Sequence, residues 1–138
     1  MSKPEFVPIF RRGVDLFNAR KFWEAHEAWE ELWLAAESDL VQFLQGLIQL
    51  AAAYHHVQRG TLRGGVRLFD AALGRLAAFP LRFCGLDRSE AEASARRHRE
   101  WAASRIETES SATLEVDAYP KLAVASTEEA LKPPREPW

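Results

Sequence analysis

The chain has 138 residues, 47% of them apolar and 28% charged, with a formal net charge of −2. That length suits one domain with a single core, and so small a charge argues against nucleic acid or an anionic membrane as main partner. The one cysteine, Cys84, excludes an internal disulfide and suits a reducing, cytoplasmic setting. The start, Met1-Ser2-Lys3-Pro4-Glu5, is too acidic for a secretory signal, and no apolar run approaches the roughly 20 residues of a membrane span.

Taken in chain order, Phe6, Phe10, Val14 and Phe17 recur at helical spacing. Pro8 is tolerated there only in a first turn. Asn18-Ala19-Arg20-Lys21 has the composition of a connection, with Asn18 the candidate for a left-handed helix end. A second helix follows at once, Phe22–Trp33, so the two are expected to pack antiparallel. Its apolar side carries Phe22, Ala25, Trp29, Leu32 and Trp33, while Glu24 and Glu31 lie opposite. His26 falls inside the apolar arc, and Glu30 lies on its edge between His26 and Trp23.

Asp39 with Gln42 reads as a capping box opening a long helix that runs to Arg59. Half of its circumference is apolar, so it is expected at the centre. The other side holds Gln42, Gln45, Gln49 and His56, with Gly46 among them. Mid-helix glycine costs about 1 kcal/mol against alanine, which a closely approaching neighbour offsets. Gly60 stops this helix and Thr61 opens the next, where Leu62, Val66, Phe69, Leu73 and Leu76 form a narrow seam. Pro80 ends it. Phe79–Leu86 is an apolar crossing, Asp87 with Glu90 is a second capping box, and Arg88–Ile106 is expected as an outer helix with a thin apolar stripe. Periodicity fades after Thr108, and Pro133–Trp138 reads as extended. The expectation is all-α: a small bundle of four to five helices over residues 1–107, with an irregular tail over 108–138 lying on or near it and no strand.

The chemistry-bearing residues gather around one place. A carboxylate on an apolar edge needs partners. His26 is one turn from Glu30, and Gln45 and Gln49 are expected to face them from the long helix. One reading is a satisfied polar cluster of His26, Glu30, Gln45 and Gln49 that fixes helix register in a binding or assembly module. The other is a metal-dependent hydrolase, with His26, Glu30 and His55 as ligands, Glu27 as general base, and a divalent zinc, manganese or iron ion as cofactor. Two motif tests count against the second: His26-Glu27-Ala28-Trp29-Glu30 is H-E-x-x-E rather than H-E-x-x-H, and no glutamate precedes a histidine by three. Whether the protein is an enzyme stays open. Arg59, Arg63 and Arg67, and the run Arg96-Arg97-His98-Arg99, read as solvated helix faces, with a phosphate or anion site as the minor alternative. Cys84 reads as a small core residue without an activating neighbour. Trp23, off the main stripe, is the candidate partner-facing indole. Self-association into a homo-oligomer is compatible with the thin stripe of the last helix.

Phe17-Asn18, Phe22-Trp23-Glu24-Ala25-His26-Glu27 with Trp29, Glu30 and Trp33, Gln45-Gly46-Leu47-Ile48-Gln49, and Arg59-Gly60 together resemble the family called domain of unknown function 309, over roughly 7–76. The resemblance implies a compact helical bundle with the two longer motifs on packed neighbouring helices. It also carries the general label of a predicted metal-dependent hydrolase. Members often have glycine where this chain has Arg20, and asparagine where it has Thr61.

Overall fold

The apolar stripes become five helices in a computed structural model that describes residues 3–109, 113–134 and 138. They are α1 (Phe6–Asn18), α2 (Phe22–Ala35), α3 (Asp39–Arg59), α4 (Leu62–Leu76) and α5 (Ser89–Thr108). The architecture is all-α. Each helix packs mainly on its sequence neighbours, and α3 lies between α2 and α4. Leu44, Leu47, Leu50 and Tyr54 of α3 are completely buried, as the width of its apolar arc requires. Among the described residues, no helix is long and apolar enough to cross a membrane.

Two glycines set the helix approaches. A Cβ at Gly46 would come within 2.7 Å of the Leu76 side chain, so the glycine lets α4 lie close on α3. A Cβ at Gly13 would fall 2.1 Å from the Trp29 Nε1, so the indole of α2 occupies the space that a side chain on α1 would take. That indole donates its N–H to the Phe10 carbonyl at 3.2 Å.

The turns differ from the sequence reading in instructive ways. Gly60 does end α3 in the left-handed conformation, with φ of 78°. Between α1 and α2, however, the left-handed residue is Arg20, with φ of 63°. Asn18 stays helical, and its side-chain amide clasps the tail: Nδ2 donates to the Leu122 carbonyl at 3.0 Å and Oδ1 accepts from the Leu122 N–H at 2.7 Å. The Asp39 capping box does not form, since Asp39 is already helical and the preceding Ser38 makes no side-chain cap. Thr61 turns its hydroxyl back to α3, where it bonds the His56 carbonyl and the His56 Nδ1.

A small three-stranded antiparallel sheet was not foreseen. It joins β1 (Arg82–Phe83), β2 (Leu86–Asp87) and β3 (Ala123–Val124). Phe83 pairs with Leu86, so Cys84-Gly85 is a two-residue loop, and both have positive φ, 54° and 76°. That is the type I′ geometry whose twist matches a hairpin. Strands of two residues carry no alternation for a sequence pattern to reveal. Among its described residues the tail is irregular apart from β3 and two short 3₁₀ turns, Val116–Ala118 and Glu129–Leu131, and it seals the core with Leu122 and Leu131. Residues 1–2, 110–112 and 135–137, which include parts of the sequence start, the entry to the tail and the extended end, lie outside the described residues.

Candidate functional site

Trp23, at the start of α2, is 45% exposed. Its indole stacks on the His26 ring, with centroids 4.5 Å apart and planes 16° from parallel, and also packs against His55 of α3 at 5.1 Å. The i, i+3 spacing on α2 lays Trp23 and His26 side by side, and the neighbouring strip of α3 supplies His55. His26 Nε2 meets Glu30 Oε2 at 3.4 Å, with side chains 18% and 47% exposed. The other imidazole nitrogen, Nδ1, is buried with no hydrogen-bond partner among the described residues. Burial, then the nearby Arg59 and His56, hold the His55 pKa below its ordinary value, which favours the neutral ring.

The pair His26–Glu30 is therefore brought together, but the wider cluster is not. Gln49 turns to the opposite bank of α3, where its Oε1 accepts from Arg75 Nε of α4 at 3.2 Å, and Gln42 accepts from Nη1 of the same guanidinium. Which flank of α3 a glutamine serves depends on its angle around the helix, and at Gln49 that angle points to α4. Gln45 is half-buried and forms no hydrogen bond with His26 or Glu30 among the described residues. Glu27 is exposed, about 100° around the helix from His26.

The expected ligand trio of His26, Glu30 and His55 is likewise not assembled. Among the described residues, no three or more His, Cys, Asp or Glu side chains are placed to hold a metal ion. His55 spends its ring on Trp23, and His26 and Glu30 are occupied with one another. Two donors of this kind fall short of the three that open metal sites use.

Residues 10–68 match the family model described as Domain of unknown function (DUF309). The matched segment contains most of α1, all of α2 and α3, and the first half of α4, so it includes Trp23, His26, Glu30 and His55. An uncharacterized protein of Aquifex aeolicus (strain VF5) is 32% identical over 86 residues, 62% of this chain. The chain spans about a quarter of that relative's length, 26%.

Two arrangements outside this site escaped the sequence reading. Tyr54 and His98 share a buried hydrogen bond of 2.7 Å. His98 lies in an arginine-rich run that reads as solvated, and only its neighbours bear that out. Arg88 and Glu92 form a fully buried ion pair at 2.8 Å. The Arg88 guanidinium also donates to the carbonyls of Leu76, Phe79, Pro80 and Leu81, so its five N–H donors are all used. The i, i+4 spacing of Arg88 and Glu92 was the available signal. Cys84 matches its core reading: burial pushes its thiol up to about 12, and Sγ lies 3.8 Å from the Lys132 carbonyl.

Proposed function

We propose that this chain is a binding and assembly module whose contact surface is centred on Trp23. One observation carries the reading: a half-exposed indole stacks on the His26 ring and packs at a tilt against His55 at the α2–α3 groove. A rigid tryptophan at the surface supplies large contact area at little entropic cost, which is why such residues anchor interfaces. The competing reading, a metal-dependent hydrolase with Glu27 as base, has the His26–Glu30 contact in its favour and, among the described residues, lacks a third donor. Its own test is elemental analysis of untagged protein, where stoichiometric zinc, manganese or iron would support it. A cytoplasmic location is supported by the single cysteine, and the near-neutral charge supports a partner other than nucleic acid. The division into a bundle over 1–107 and a tail over 108–138 is part of the same proposal.

A photo-crosslinking amino acid at position 23 of the full chain tests the surface. A discrete adduct in cells is the expected result. Background labelling no stronger than at exposed Arg12, on α1, would sink it.

A further inference from the structure

We infer that the partner at this surface is a second copy of the chain, related by a two-fold axis running along α3. The inference rests on the reading of Trp23 as a contact residue and names what it contacts. The open strip of α3 forms the floor between two banks. Trp23 packing on His55 marks the α2 bank, while Arg75 bonded to Gln42 and Gln49 marks the α4 bank. The banks carry opposite charge. Every ionised side chain of α2 is acidic (Glu24, Glu27, Glu30 and Glu31), whereas the outer line of α4 exposes Arg63 and Arg67. The one acid of α4, Asp70, is already held by Arg99 at 2.9 Å.

The heights of the two banks also match. Trp23 is level with His55, and Gly64 is level with the adjacent His56, because a Cβ there would come within 2.9 Å of the His56 ring. From that shared level α2 and α4 run in the same direction, each antiparallel to α3. Their outermost positions recur at identical spacing: 23, 27 and 34 on α2, and 63, 67 and 74 on α4.

A two-fold axis along α3 keeps every height and exchanges the banks, so α2 of one copy lies over α4 of the other. Trp23 then meets Arg63, Glu27 meets Arg67, and the 73%-exposed Leu34 meets Gly74, which has open space above it. These are a cation–π contact, an ion pair and an apolar contact, each made twice. An axis across the helices would instead oppose α2 to α2, four carboxylates against four. A face three helices wide and about 22 Å long at its banks offers on the order of 600 Å² per copy, at the lower end of the range around the roughly 800 Å² of a standard interface.

Light scattering on the purified full chain, over a concentration series, tests this directly. The expected species has twice the 15.7 kDa chain mass. Glu27→Arg and Arg67→Glu should each raise the dissociation constant by at least about tenfold. An equal mixture of the two variants should restore the dimer, because both of its contacts regain opposite charge. Monomer at all concentrations, or dimers that ignore both reversals, would overturn the pairing. A position-23 adduct with a different protein would also overturn it while leaving the contact-surface reading intact. Absence of any adduct would remove both.

Discussion

Tyr54 and His98 are joined by a 2.7 Å hydrogen bond inside an aromatic shell made by Phe17, Phe22, Phe69 and Tyr119. Burial, aided by the charge of Arg97, lowers the His98 pKa from its ordinary 6.5, and burial raises that of Tyr54. Protonation of His98 therefore favours the unfolded chain. Its contribution to stability is complete above pH 6.5 and is lost as the pH falls from there through the lowered native value. His98→Asn keeps an acceptor for the phenol and removes the titration. Its melting temperature should fall less than that of the wild type between about pH 7.5 and about pH 5. Parallel curves would refute the assignment.

Gly13 and Trp29 occupy one volume between them. Gly13→Ala adds a methyl group to a site where the indole has no room to retreat, since Trp29 is fully buried and bonded to the Phe10 carbonyl. The expected cost is about 3 kcal/mol, at the upper end for overpacking. Urea unfolding should show a lower midpoint, and an unchanged midpoint would mean that α1 and α2 stand further apart than described.

Arg20 is a left-handed residue with a Cβ, in the turn between α1 and α2. Arg20→Gly should stabilise the protein by about 1 kcal/mol through relief of that strain, less what the unfolded chain gains in freedom. The corresponding rise in thermal midpoint is the measurement. A fall would show that the Arg20 side chain holds the turn.

Breaking the Arg88–Glu92 pair leaves one charge buried without its counterion. Glu92→Ala should cost about 3 kcal/mol or more, and Arg88→Met at least as much, because it also takes the donors from the Leu76, Phe79, Pro80 and Leu81 carbonyls. Chemical denaturation of the two variants decides it.

At the candidate site, Trp23→Ala should shift the thermal midpoint by only a few degrees, because the indole is 45% exposed and lies off the core. Incubation with a chelator should leave the midpoint unchanged. A large loss in either experiment would indicate that the cluster is structural, or that it holds a metal.

The helices were legible because their apolar residues recur at 3.6-residue spacing. Gly60 as a stop and Gly46 as a point of close approach were legible because glycine has few reasons to be there. Partners across the fold were less accessible. Gln45 and Gln49 read as one pair, yet only three-dimensional angles reveal that Gln49 serves α4. His98 hid among arginines whose solvation its sequence neighbourhood described correctly for all but itself. The left-handed position falls to Arg20, while Asn18 stays in α1 and clasps Leu122. The stacking of Trp23 on His26 follows from their spacing, whereas the contact with His55 needed the register of α2 on α3.

The guanidinium of Arg88 ties four backbone carbonyls from 76 to 81 to the first turn of α5. A segment of that length would ordinarily fray independently of the helices at its ends. Anchored through one buried cation, it has no partial way to loosen: releasing any carbonyl strands a donor away from water. The connection should therefore exchange its protected amide hydrogens in step with α4 and α5, as a single opening event rather than as a loop with a lifetime of its own.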